Sequence, residues 1–166
     1  KIVKEINISQ LHSFHKNLKS IDTIKVFFLT NTTLSTREDL QNKLKRGNLE
    51  IEDSNSIYTS GYLLASYINT DYNHIKNIYV IGRKGLIHEL KSFGINVFGG
   101  FEDDFKKIAL YDTGDVKINY DIQAVAVAFD DEINYFKLFY ATQIINNNVM
   151  FFGTNLDKNL VIGGRK

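Results

Sequence analysis

Apolar positions in this chain fall into short runs and helical stripes that alternate, a pattern that predicts layered α/β architecture. From Lys25 to Arg37 the chain reads Lys-Val-Phe-Phe-Leu-Thr-Asn-Thr-Thr-Leu-Ser-Thr-Arg, an apolar stretch too short for a helix that breaks into hydroxyls and an amide. It reads as a buried strand over Val26 to Leu29 that delivers polar groups at its carboxyl end. Before it, Ser9 to Ser20 places Leu11, Phe14 and Leu18 at helical spacing behind a serine suited to capping. After it, Leu40 and Leu44 share one face of a helix from about Thr36 to Arg46, which Gly47 stops. Ile57 to Ile68 reads as a third helical pattern, opened by Ser56 or by Thr59 and Ser60.

The second half repeats the alternation. Asn77 to Ile81 is a β-rich run closed by Gly82, Leu86 to Phe93 a helix ended by Gly94, and Ile95 to Phe98 a strand ended by Gly99 and Gly100. Phe101 to Asp121 has only scattered apolar residues and reads as an irregular connector. Ala124 to Phe129 is then a continuous apolar run ending in Asp130 and Asp131, Tyr135 to Ile145 an amphipathic helix, and Val149 to Phe152 a buried strand ending in Gly153, Thr154 and Asn155. Strands this short and this apolar, separated by helices, imply α/β layers with mostly parallel strands.

Composition narrows the function more than the fold. With 166 residues the chain is long enough for one ordinary domain or two small ones, and 43% hydrophobic residues make it globular. Twenty basic residues against nineteen acidic ones leave no field to recruit nucleic acid or an anionic membrane, so the expected partner is a small molecule. The absence of cysteine excludes disulfides and thiolate chemistry and fits a cytoplasmic location. No apolar span of membrane length is present. Proline is also absent, while Asn, Lys, Ile and Tyr are plentiful, a bias that no element requires and that fits genome composition.

The candidate chemistry sits where the first strand ends. In open α/β sheets, ligands occupy the crevice outside the carboxyl ends of the strands, so Thr30 and Asn31 stand where a phosphate or similar anion would be held. The plainer reading is that they cap a strand and start a turn. Other groups favour their plain readings. His12 and His15 lack a third ligand for a metal, and the acidic clusters at 102–104 and 130–132 lack the ligand spacing of a calcium loop. Gly82-Arg-Lys-Gly85 lacks the fuller glycine pattern of a phosphate loop and reads as a strand-to-helix turn. No serine-histidine-acid arrangement can be placed.

The order of these pieces resembles a known family. Phe-Leu-Thr-Asn-Thr-Thr-Leu-Ser-Thr-Arg (28–37), Ile-Tyr-Thr-Ser-Gly (57–61), Tyr-Val-Ile-Gly-Arg-Lys-Gly-Leu (79–86), Ala-Val-Ala-Phe-Asp (126–130) and Gly-Thr-Asn-Leu-Asp (153–157) look like the haloacid dehalogenase (HAD) superfamily. The resemblance is strongest to its phosphoglycolate, pyridoxal-phosphate and 4-nitrophenyl phosphatase branch, and covers roughly residues 24 to 166. It implies an α/β chain with part of a HAD Rossmann-like core over 1–75, including the second phosphate-binding motif, and an α/β cap over 76–166 that starts to return to the core. It also implies Mg²⁺-dependent hydrolysis of small phosphomonoesters through an aspartyl-phosphate. Thr30 and Asn31 would bind the phosphoryl group, and Phe129, Asp130, Asn155, Asp157 and Lys158 would be cap residues that choose the substrate. Core packing explains Phe129 as well, and a solvated turn explains Asn155, Asp157 and Lys158 as well. Caps in this branch often pair, and Ala124 to Phe129 with Tyr135 to Ile145 could form a homodimer surface.

The departures matter equally. The superfamily's nucleophile motif is Asp-x-Asp, and none occurs here, so no catalytic residue and no metal ligand can be assigned within the chain. The later lysine and acidic pair of the family cannot be placed either. The chain is therefore expected to be a fragment whose nucleophile and Mg²⁺ ligands lie elsewhere, since one confident central strand with two helices leaves that strand's neighbours missing. Three readings follow: a phosphatase of small phosphorylated metabolites, a non-catalytic relative that binds a ligand without turnover, and a Rossmann-like anion-binding module built around Thr30 and Asn31.

Overall fold

A computed structural model describes residues 26–49, 51, 53–108, 114 and 116–157. The expected helix at 9–20, His12, His15 and Lys158 lie outside the described residues. Two parallel sheets organise the rest. The smaller pairs β1 (Phe28–Thr30) with β2 (Ile57–Thr59), in a register that sets Thr30 beside Thr59. The larger has four strands, β3 (Asn77–Ile81), β4 (Asn96–Gly99), β5 (Ala124–Val127) and β6 (Met150–Gly153), in the order β4-β3-β5-β6. Four helices join them: α1 (Arg37–Arg46), α2 (Ser60–Asp71), α3 (Lys84–Ser92) and α4 (Tyr135–Ile145).

Each helix starts where its residues dictate. Thr36 caps α1 in a reciprocal capping box with Asp39: its hydroxyl accepts from the Asp39 N–H at 3.1 Å, and the Asp39 carboxylate accepts from the Thr36 N–H at 3.2 Å. Thr59 and Asn134 cap α2 and α4, each accepting from the N–H three residues on. The segment from Ile57 to Thr59, expected within a helix, is a strand. Thr59 has extended backbone and caps the helix that begins at Ser60, and the three residues before that helix pair with β1. Pairing with a distant strand overrides the local helical pattern, as tertiary context often does for so short a segment.

The two central strands of the larger sheet, β3 and β5, are covered on both faces, which explains their unbroken apolar runs, whereas the edge strand β6, expected to be buried, leaves Met150 and Phe151 exposed and buries Phe152. Side chains alternate: Ile78, Val80, Ala124, Ala126 and Phe152 face a layer made by α2 and α3, with Leu64, Ala65, Ile68, Leu86 and Leu90. Tyr79, Ile81 and Val125 face α4, with Ala141 and Ile144. Burying each large aliphatic residue contributes roughly 1.5–3 kcal/mol relative to exposure. Although α2 follows β2 directly, its apolar face is buried against the larger sheet. Strand β5 lies between β3 and β6, so the exposed part of the expected pairing surface is limited to Phe129 beyond the strand and to α4, at Tyr135 and Leu138.

Topology fixes where a ligand would sit. From β3 the chain crosses through α3 to β4 on one side, and from β5 through α4 to β6 on the other, so the order reverses between β3 and β5. Crossovers of one hand running in opposite directions put their helices on opposite faces, as seen for α3 and α4. At β4 the chain turns sharply through Gly99, whose φ of 81° and 2.7 Å approach of a would-be Cβ to the Val80 carbonyl admit no other residue without strain. A short 3₁₀ turn, Gly100–Asp103, follows within the expected irregular connector.

Candidate functional site

The carboxyl end of β1 delivers Thr30 half-buried and Asn31 exposed, as the apolar-to-polar break in the sequence required. The Thr30 hydroxyl accepts from the Thr32 N–H at 3.3 Å, which bends the chain away from the sheet. From the adjacent strand, Ser60 at the start of α2 donates its hydroxyl to the Asn31 carbonyl at 2.9 Å. Ser60 was legible as a helix opener; its contact with Asn31 was not, because it depends on β1 and β2 being neighbours.

The loop after β6 reaches the same place from the far end of the chain. The Thr154 N–H donates to the Val127 carbonyl at 3.1 Å, carrying the backbone off the end of β5. Asn155 then closes a tight turn: its side-chain oxygen accepts from the Asp157 N–H at 2.7 Å, and its amide donates to the Asp157 carboxylate at 3.0 Å. The same carboxylate oxygen accepts from the Asn31 side-chain amide at 3.2 Å. Of the expected site residues, Thr30, Asn31, Asn155 and Asp157 thus come together, across 126 residues of sequence.

A seam beside this contact joins the segment after β1 to α3. The Leu86 N–H donates to the Thr33 carbonyl at 3.1 Å. A Cβ at Gly85 would lie 2.5 Å from that carbonyl and closer still to the Ser35 carbonyl, so the approach of α3 to the segment after β1 requires glycine. Arg37 spans the same seam, with Nε 3.1 Å from the buried Glu89 carboxylate, Nη1 donating to Asn55 at 3.3 Å and its guanidinium 4.0 Å above the Tyr62 ring. At the exposed rim, Lys84 lies 2.8 Å from Asp39. The hydrogen bond from Lys84, and those from the Thr36 N–H and hydroxyl, lower the Asp39 carboxyl to about 2.

At the switch point of the larger sheet lies a buried charge cluster. Arg83 follows β3, Asp130 follows β5, Asp104 follows the 3₁₀ turn, and Lys137 projects from α4. Lys137 is fully buried, with Nζ 2.6 Å from Asp104 and 2.7 Å from Asp130. Arg83 grips Asp104 through Nη1 at 2.8 and 3.0 Å, lies 2.9 Å from Asp130 through Nε and also pairs with Asp131. Burial would raise the Asp104 carboxyl, but hydrogen bonds from Lys137 and Arg83 outweigh it and hold the group below the usual carboxylate range.

This corrects the expectation for Asp130, whose side chain is fully enclosed and committed to two cations rather than presented to a ligand. An aspartate at a strand end reads the same in sequence whether it meets solvent or a lysine seven residues on. Phe129 stands beside it, 39% exposed, at the end of the strand between β3 and β6. The strands on either side, β3 and β6, both lead to contacts with the 31–35 segment, through Leu86 and Asp157.

One cavity of about 350 Å³ lies between Tyr79, Tyr140 and Lys106, and an apolar one of about 320 Å³ lies between β1 and α1. Of the site residues, only Thr30 lines either of them. Among the described residues no cluster of three His, Cys, Asp or Glu side chains could hold a metal ion. The groups that Thr30, Asn31, Asn155 and Asp157 bring together are hydrogen-bonding side chains. No helix among them is long and apolar enough to cross a membrane.

The fold defines a class: a Rossmann-like α/β protein with hydroxyl and amide side chains at the carboxyl end of a parallel strand. The chain belongs to the haloacid dehalogenase-like hydrolase family, whose model matches residues 7–96. Over 136 residues, 80% of the chain, it is 30% identical to phosphoglycolate phosphatase 1A, chloroplastic, of Arabidopsis thaliana, covering 37% of that protein. It is 25% identical over 145 residues to the 4-nitrophenylphosphatase of Schizosaccharomyces pombe, covering 85% of this chain and 48% of that one. The fold matches a mutant of the thermostable p-nitrophenylphosphatase from Bacillus stearothermophilus with a TM-score of 0.73 and 26% identity, over 94% of this chain and 52% of the other. The chain thus spans about half the length of that structure, and less than half of these two relatives.

Proposed function

We propose that the protein containing this chain hydrolyses small phosphomonoesters, and that Thr30 and Asn31 hold the phosphoryl group. The observation that carries this reading is the convergence of Thr30 and Asn31, on one sheet, with the 154–157 loop of the other, in a chain whose relatives are named as phosphatases. In this reading residues 1–75 contribute part of the core and 76–166 the cap, and the metabolite binds between them. A phosphoryl group in transfer spreads charge over its equatorial oxygens, and fixed donors such as the Thr30 hydroxyl stabilise it. The nucleophilic aspartate and the Mg²⁺ ligands belong to residues outside this chain, as does the aspartyl-phosphate step. The leaving group is a small one of the phosphoglycolate, pyridoxal phosphate or 4-nitrophenyl type, met by Phe129 and the 154–157 loop. Pairing of two copies through the cap, with α4 contributing Tyr135 and Leu138, and a cytoplasmic location complete the reading.

The test is phosphate release from a panel of phosphomonoesters by the full-length protein, with and without Mg²⁺, beside its Thr30→Val variant. This substitution keeps the shape and removes one donor, so kcat should fall about 10²–10³-fold, the loss usual for one transition-state donor, with unfolding unchanged. Full activity in Thr30→Val would remove Thr30 from the site. Binding without turnover by the wild type would favour a non-catalytic relative.

A further inference from the structure

Resting on that phosphatase reading, we infer that Asp157 is a positioning residue that holds the cap loop over the phosphoryl site by acting through the Asn31 side chain. Three observations converge. The Asp157 carboxylate is itself oriented, because Asn155 takes both its backbone N–H and one carboxylate oxygen in a closed turn. That oxygen meets the Asn31 amide at 3.2 Å, a side-chain bond joining the loop after β6 to the segment after β1. The Asn31 backbone is independently fixed, since Ser60 donates to its carbonyl at 2.9 Å.

An exposed carboxylate held this way by its own loop gains little as a surface turn. Its geometry serves a latch, whose far side is rigid and whose near side is the residue next to Thr30. The contacts of Gly85, Leu86 and Arg37 join the segment after β1 to α3, and the Asn31–Asp157 bond joins it to the loop after β6. A loop fixed beside the reacting group completes the site, so its loss should weaken the transfer step whatever the leaving group.

The experiment is a double-mutant cycle in the full-length protein with Asp157→Ala, Asn31→Ala and both, assayed with 4-nitrophenyl phosphate and glycerol 3-phosphate. A single hydrogen bond to a carboxylate predicts a loss in kcat/KM of about tenfold for Asp157→Ala. The loss should be the same for both substrates and fall mainly in kcat. Asp157→Asn, which keeps an acceptor oxygen for the Asn31 amide, should restore most of it. In the Asn31→Ala background the Asp157→Ala loss should vanish. Additive losses, no rescue by asparagine, or a loss confined to one substrate would each overturn the inference while leaving the phosphatase reading intact. No phosphate release by the wild type with either substrate would overturn both.

Discussion

Replacing Lys137 with methionine removes a fully buried ammonium while keeping nearly the same volume, and so isolates the worth of the charge cluster. The ammonium lies 2.6 Å from Asp104 and 2.7 Å from Asp130, and both carboxylates lose it at once. Asp130 keeps Arg83 at 2.9 Å and the Glu132 N–H at 3.0 Å, and Asp104 keeps its two-pronged contact with Arg83. Among the described residues Arg83 is then the sole cation within contact distance of three carboxylates, counting Asp131, so part of the negative charge stays buried without compensation. Breaking a buried pair from one side costs about 3–5 kcal/mol, and the remaining arginine contacts place this case near the lower end, about 3 kcal/mol. Against a typical stability of about 5–15 kcal/mol that is a large fraction. Urea unfolding of the full-length protein at pH 7 should therefore show a lower midpoint with an unchanged slope. Adding Asp130→Asn should recover at least about 1 kcal/mol, because it removes the uncompensated charge. The wild type should also lose stability in acid. Asp104 is held below its usual range, so its contribution is complete above the ordinary carboxylate pKa and disappears as pH falls through the depressed one. In Lys137→Met that acid limb should flatten. A loss under about 1 kcal/mol, or an acid limb unchanged from wild type, would refute the view that this cluster is dry and paired.

Two further outcomes follow from the site and its rim. Phe129→Ala removes a ring that is partly exposed just beyond the end of β5 and, in the proposed function, meets the leaving group; it should change kcat/KM for phosphomonoesters with large leaving groups, 4-nitrophenyl phosphate among them, by about tenfold, with little effect on acetyl phosphate. Equal losses for all substrates would assign Phe129 to packing instead. The Asp39 carboxyl should titrate by NMR near 2 rather than in the ordinary range, and Lys84→Met should move its midpoint upward. Because the folded pKa is the lower one, this carboxylate's contribution to α1 is complete above the ordinary pKa and fades as pH falls through about 2. A midpoint near 3.8 in the wild type would show that the capping box and the Lys84 pair are not held in solution.

What the sequence alone determined was local or periodic. Tyr135–Ile145 and Asn77–Ile81 have the boundaries that their patterns predict, and the other expected strands within the described residues agree to within two residues. The break from Phe28 and Leu29 into Thr30 and Asn31 marked the polar end of a strand before any partner strand was known, because the break itself is the signal. Pairing was not legible in this way. Ile57–Thr59 became a strand only because β1 lies beside it, and Asp130 became a buried ion-pair partner only because α4 carries Lys137 across the end of β5. Arg83 looked like part of a turn, since a guanidinium's partners come from other segments and none is near it in sequence. The meeting of Asn31 with Asp157 depends most heavily on tertiary structure. Each residue is a common turn former alone, and the two, 126 positions apart, meet only once both sheets have been built, because a hydrogen bond is specified by position in space and hydrophobic periodicity only by position along the chain.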